Sequence, residues 1–127
     1  MKLAVFRATG GTGRRLITQA LAADYDVRAL TRTQAKLPPG EQITAIEGNV
    51  LDPKAVSETV EHTDAVVCLL GRTPNNPPDV VSRGTRNIIE AMDDRPVSRL
   101  LVLTSMGLGS SSETVPWYIR IVNATAL

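Results

Sequence analysis

The chain has 127 residues, 43% of them apolar, with 14 basic and 13 acidic side chains and a formal net charge of +1. That length suits one domain with its own core, and the balanced charge, with no Lys/Arg cluster and few aromatic residues, argues against a nucleic-acid-binding surface. A single cysteine, Cys68, excludes an internal disulfide and a cysteine-rich metal site, and no apolar stretch is long enough to span a bilayer.

Leu3–Phe6 is a short apolar run that reads as the first strand. It leads into Arg7-Ala8-Thr9-Gly10-Gly11-Thr12-Gly13, and an amphipathic helix is expected over Thr12–Ala23, with Leu16, Ile17, Ala20 and Leu21 on its apolar side. A second strand is expected over Val27–Thr31. A short turn over Gln34–Leu37 is closed by Pro38-Pro39-Gly40, and a weaker third strand covers Thr44–Glu47. Asp52-Pro53 is an N-cap followed by proline at the first helical position, and opens a helix over Asp52–Glu61. His62 follows Glu61 at the end of that helix and reads as a solvated, dipole-compensating residue. The most apolar strand, Asp64–Leu70, carries Cys68, which reads as a buried, inert thiol. A helix over Asp79–Met92 places Val81, Ile88 and Met92 on one face. A fifth strand is expected over Leu100–Thr104, a loop over Met106–Thr114, and a last helix over Pro116–Leu127 with Trp117 and Ile121 inward.

Strands and helices alternate, and several strands are continuous apolar runs that suit burial on both faces. The expected fold is α/β: a doubly wound, Rossmann-type parallel sheet of about five strands in the order 3-2-1-4-5, with a ligand crevice between strands 1 and 4. The glycine-rich turn faces that crevice. Its backbone N–H groups and the positive end of the helix dipole suit a pyrophosphate. Gly10 lets a phosphate approach the backbone, and Gly13 lets the helix pack close to the strand. The usual Gly-x-x-Gly-x-x-Gly pattern has glycine where this chain has Arg7. If that position needs a positive φ, arginine costs about 1–3 kcal/mol, and its side chain reaches into the phosphate pocket. Impaired cofactor binding is the expected effect; the alternative is a guanidinium that replaces part of the phosphate's counter-charge. After the second strand, where an NAD site places an acidic residue, the chain has Thr31-Arg32-Thr33 and then Lys36. Two cations and no carboxylate favour the 2′-phosphate of NADP(H), with Arg14 as a further contributor; a solvated basic loop is the other reading.

The segments Ala8-Thr9-Gly10-Gly11-Thr12-Gly13, Leu30-Thr31-Arg32, Gly48-Asn49-Val50, Leu69-Leu70-Gly71, Gly84-Thr85-Arg86-Asn87-Ile88 and Thr104-Ser105 occur in an order and spacing that resemble the atypical short-chain dehydrogenases/reductases. The pattern is most similar to their NAD(P)H-binding branch, which includes biliverdin-IXβ reductase (flavin reductase) and the NmrA-like proteins. The resemblance implies that Thr9, Gly10, Gly11, Thr12 and Gly13 form the cofactor turn. It implies that Asn49 and Val50, where relatives commonly have Asp-Val, hold the adenine edge; a plain turn capping the next helix is the other reading of Asn49. Leu70, Gly71 and Arg72 are implied to line the ribose and nicotinamide side. Thr104 and Ser105 are implied to face the cofactor, with Ser105 the candidate catalytic residue that polarises a substrate or positions the nicotinamide; the alternative is a serine that satisfies loop backbone. The loop Thr73–Pro78 either borders the substrate region or simply connects.

The Tyr-x-x-x-Lys pair of ordinary short-chain dehydrogenases is absent, since Tyr25 precedes the second strand and Tyr118 has Val122 four residues on. The implied reaction is direct hydride transfer from NADPH to a flat conjugated acceptor such as a flavin, quinone or tetrapyrrole, with the proton supplied by solvent or substrate. A non-catalytic NADP(H) sensor and a fragment disabled by Arg7 are the alternatives. Such relatives run longer, so residues 1–127 are expected to form the NAD(P)-binding domain without its substrate-side C-terminal portion. Self-association through an apolar edge near the fifth strand and last helix is expected, as is a cytoplasmic location, the apolar run after Lys2 being too short for a signal peptide. No nucleic-acid or membrane partner is expected. Gly84 inside a helix costs about 1 kcal/mol relative to alanine, which close packing on the sheet would justify.

Overall fold

A computed structural model describes residues 1–103. The expected loop and last helix, with Thr104 and Ser105, lie outside the described residues. In chain order the elements are β1 (Lys2–Phe6), α1 (Gly11–Ala22), β2 (Asp26–Thr31), a 3-10 turn (Gln34–Lys36), β3 (Ile43–Glu47), α2 (Pro53–Val60), β4 (Ala65–Cys68), α3 (Val80–Asp93) and β5 (Leu100–Val102). The strands form one five-stranded sheet in the order β3-β2-β1-β4-β5, and every neighbouring pair is parallel.

β1 lies at the centre, with Val5 between Ala29 of β2 and Val67 of β4. Its side chains alternate between two cores, as the period of a strand requires. Leu3 and Val5 join Val27, Ala29 and Val67 beneath Ile17 and Ala20 of α1. Ala4 and Phe6 join Leu30, Ile46, Val66 and Cys68 beneath Val56 and Val60 of α2 and Ile88 and Met92 of α3. Burying a side chain such as Phe6 or Ile17 is worth about 1.5–3 kcal/mol, so the two layers clamp the central strand from both sides. Cys68 is buried and free, as its apolar run leads one to expect.

The helix boundaries follow from local chemistry. Asp52 caps α2 by accepting a hydrogen bond from the Lys54 N–H at 3.1 Å, with Pro53 in the first turn. α1 ends in a Schellman arrangement, in which Tyr25 N–H donates to the Ala20 carbonyl at 2.9 Å and Asp24 N–H to the Leu21 carbonyl at 3.0 Å. Asp24 takes the left-handed conformation there with φ 62°, and the exposed His62 does the same beyond α2 with φ 60°.

Two expectations shift. β4 stops at Cys68 instead of continuing to Leu70, because beyond Leu69, whose N–H still reaches the Phe6 carbonyl at 3.2 Å, the chain turns away at the place where the strand order reverses. On α3 the buried set is Val80, Gly84, Ile88, Ala91 and Met92, and Val81 is 36% exposed at the border of that face. The contact centre is Gly84, where an added Cβ would lie 2.8 Å from Leu70 Cδ1 and 3.0 Å from Val50 Cγ2. Close packing does account for that glycine.

Candidate functional site

The carboxyl ends of the strands open on a cleft of about 330 Å³ at the β1–β4 switch, where parallel doubly wound sheets place their ligands. Its floor is the turn from β1 into α1. Gly10 is the N-cap of α1, no side chain among the described residues caps that helix, and its first turn holds no acidic residue. The leading N–H groups of a 12-residue helix are therefore left for a ligand or water. Gly13 is what allows this geometry: a Cβ there would lie 2.4 Å from the Arg7 carbonyl oxygen and 2.6 Å from that of Ala8. No real side chain tolerates such contacts with backbone.

Arg7 holds the position that the sequence pattern reserves for glycine, and its φ is 67°. The turn imposes a left-handed residue whatever its side chain. Aspartate and histidine, found at the other left-handed non-glycine positions, are enriched in that region; arginine is not. The Arg7 side chain reaches across the cleft floor. A Cβ on Gly71, after β4, would lie 2.7 Å from Arg7 Nη1, and one on Gly10 would lie 3.4 Å from Arg7 Nε. The side chain thus runs from Gly10 on the floor to Gly71 beyond β4.

The wall on the β2–β3 side is built by short turns. Thr31 Oγ1 accepts from the Thr33 N–H at 3.1 Å and donates to the Thr33 carbonyl at 3.0 Å, which folds the chain tightly and leaves Arg32 exposed at the tip. Asn49 Oδ1 accepts from the Leu51 N–H at 3.0 Å, so Asn49 has the turn role, while the cap of the next helix is Asp52; Asn49 also lines the cleft. Asn87 of α3 donates from Nδ2 to the Val50 carbonyl at 3.0 Å and anchors that turn from behind. Among the described residues no carboxylate is paired with Arg7 or Arg32.

Of the residues singled out by sequence, Arg7, Thr9, Gly10, Arg32, Asn49, Val50, Leu70 and Gly71 all line the cleft. Gly11, Thr12 and Arg14 lie exposed on the first turn of α1, Lys36 is exposed in the 3-10 turn, and Arg72 is exposed beyond β4, all outside the cleft lining. Gly13 is buried beneath the floor. Sequence reasoning passed over Phe6, Leu30 and Val80, which give the cleft apolar walls, and left open the role of the loop that supplies Thr73, Asn75 and Asn76. That loop is folded on itself: Asn76 Nδ2 donates to Thr73 Oγ1 at 2.8 Å, and the Asn76 N–H to the Thr73 carbonyl at 3.2 Å. The Asn-Asn-Pro-Pro run is the one sequence signal for it.

A family model described as NAD(P)H-binding matches residues 8–126. Among characterised proteins, the chain is 32% identical over 107 residues to the N-acetyl-alpha-D-glucosaminyl-diphospho-ditrans,octacis-undecaprenol 4-epimerase of Escherichia coli O157:H7, covering 80% of this chain and 31% of that protein. Among solved structures, the anaerobillin reductase ChuY of Escherichia coli O157:H7 superposes with a TM-score of 0.80 at 20% identity, over 99% of this chain and 61% of that one. A short-chain dehydrogenase/reductase superfamily protein of Agrobacterium tumefaciens with bound NAD superposes with a TM-score of 0.70 at 22% identity, over 85% of this chain and 34% of that one. The chain therefore spans between about a third and three-fifths of the length of these relatives. The structural likenesses show a shared fold, and the family match covers nearly the whole chain. The protein belongs to the NAD(P)H-binding family and shares its fold with ChuY and with the NAD-bound short-chain dehydrogenase/reductase.

Proposed function

We propose that this chain is the NADP(H)-binding domain of an NADPH-dependent oxidoreductase that reduces a flat conjugated acceptor, a flavin, quinone or tetrapyrrole, by direct hydride transfer. The observation that carries the reading is the cleft at the β1–β4 switch, with the start of α1 as its floor and Arg32, unpaired with any carboxylate among the described residues, at its rim. The chemistry of the donor set fits the adenosine half of the cofactor. Leu30 and Val50 offer apolar contact to a base, the Asn49 amide offers donors to its edge, and Arg32 offers a planar fork to a 2′-phosphate. When bound, NADPH supplies the hydride.

In this proposal the backbone at Thr9 and Gly10 receives phosphate, and Leu70 and Gly71 border the ribose on the far side. Gly11, Thr12, Arg14, Lys36 and Arg72, outside the cleft lining, add donors or positive charge at longer range. Ser105, with Thr104 beside it, polarises the acceptor or positions the nicotinamide. Likeness in fold to a reductase supports the acceptor class. The proposal includes a cytoplasmic setting and self-association through the exposed Leu101, Val102 and Leu103. No helix among the described residues is long and apolar enough to cross a membrane. A second reading, a nucleotide-binding module without turnover, is favoured by the Arg7 side chain lying across the cleft.

The test is calorimetric titration with NADPH and NADH of the chain and of Arg32→Glu. Because a charge-assisted hydrogen bond contributes about 1.5–3 kcal/mol, NADPH is expected to bind about ten- to a hundred-fold more tightly than NADH, and Arg32→Glu to erase that preference. Equal affinities in the parent would remove the case for NADP(H). Turnover with NADPH and an added flavin or quinone then separates the reductase from the binding module.

A further inference from the structure

The reversal of strand order places Leu30, Arg32, Asn49 and Val50 on one side of the β1–α1 turn, and Gly71 on the other. A dinucleotide must cross that turn to reach from one side to the other, and its diphosphate makes the crossing. The Arg7 guanidinium stands on this line, between Gly10 and Gly71. Its backbone takes the left-handed conformation of the turn, φ 67°, and Gly10 N–H donates to its carbonyl at 3.4 Å. Gly71 lies beside it: a Cβ there would come 2.7 Å from Arg7 Nη1, the tip of a long side chain that can shift. The cleft therefore has a cation at the end of its adenosine side as well as the cation at its rim, Arg32.

We propose that the cleft selects adenosine nucleotides that end at the 5′-phosphate over complete dinucleotides, with Arg7 receiving the terminal 5′-phosphate and Arg32 a 2′-phosphate. The inference rests on the second reading above, a nucleotide-binding module without turnover, narrows it to a mononucleotide class, and stands against NADPH as the working cofactor. A terminal phosphate presents up to two charges and a free face for a guanidinium fork. Each phosphate of a dinucleotide carries one charge and continues into a second ester, so the chain of atoms has to displace the Arg7 side chain. A group that terminates at Arg7 gains a contact, and a group that passes it loses one.

The experiment titrates adenosine 2′,5′-bisphosphate and NADPH into the whole chain, into Arg7→Gly and into Arg7→Ala. In the parent, the bisphosphate is expected to bind at least about tenfold more tightly than NADPH, the size of one charge-assisted contact. Both variants are expected to reverse that order, and having two of them guards against one that folds poorly. A parent that binds NADPH more tightly than the bisphosphate overturns the inference and leaves the nucleotide reading intact. So does a ratio that neither variant changes. Failure of both ligands with all three proteins overturns the nucleotide reading itself, and this inference with it.

Discussion

Arg7→Gly is expected to make the chain more stable while removing a charged side chain from the cleft. The left-handed backbone at Arg7, φ 67°, costs a residue with a Cβ about 1–3 kcal/mol, and glycine escapes that cost. Glycine also loosens the unfolded chain, which returns about 0.4–1 kcal/mol. The net gain is about 0.5–2 kcal/mol, and at about 2.1 cal/mol/K of unfolding entropy per residue a chain of this size gains about 2–8 °C in Tm. Arg7→Ala is the control, because it deletes the guanidinium but keeps the Cβ and its strain, so its stability is expected within about 0.5 kcal/mol of the parent. Thermal unfolding followed by circular dichroism, with urea titration as a second probe, reads both variants. A fall in Tm for the glycine variant would refute the strain argument. Equal gains for glycine and alanine would assign the effect to the side chain instead of the backbone.

Gly13→Ala should cost about 1–3 kcal/mol by forcing α1 off the turn, visible as a lower urea midpoint, since its Cβ meets two carbonyl oxygens within 2.6 Å. Asn87→Leu leaves the buried Val50 carbonyl without its donor and should lower stability by about 1–3 kcal/mol; Asn87→Asp, which offers no N–H to that carbonyl, should do the same, and wild-type midpoints for both would remove Asn87 from the site's support. Asp52→Ala removes the α2 cap and should cost about 1 kcal/mol, whereas Asp52→Asn should be nearly silent. Arg32→Glu should leave the unfolding midpoint within about 0.5 kcal/mol of the parent, because the side chain is exposed at a turn tip; a larger change would mean a structural role for it.

The fold was legible because its signals are local and agree with one another. Asp52-Pro53 marks a helix start by its own hydrogen bonding, and the apolar runs at Leu3–Phe6 and Ala65–Leu69 are wide enough for strands buried on both faces. Alternation of the two element types then leaves few topologies, and the observed order is the expected one. The phase of α3 was harder to read. Its contact centre is Gly84, which has no side chain to register in a hydrophobic pattern, and the larger Val81 takes its place in that pattern. The site was legible where backbone carries it: the turn at Gly10 and Gly13 and the tips at Arg32 and Asn49 sit where their spacing puts them. Sequence also exposed the anomaly at Arg7, but not that its side chain lies against Gly71, because that contact joins residues far apart in the chain through the direction of one flexible side chain. Asn87 escaped for a similar reason: its bond to Val50 spans 37 positions and no local pattern announces it.

The most direct test of the central claim is an NMR titration of the isotopically labelled chain with NADPH and with adenosine 2′,5′-bisphosphate, reading every assigned backbone amide. A nucleotide in the cleft predicts saturable shifts at Gly10, Arg32, Asn49, Val50 and Gly71, with the opposite edge of the sheet at Lys2, Asp26 and Asp64 unmoved. Shifts confined to that opposite edge or to the outer face of α3, or none with either NADPH or adenosine 2′,5′-bisphosphate at millimolar concentration, would contradict a nucleotide site at the β1–β4 switch.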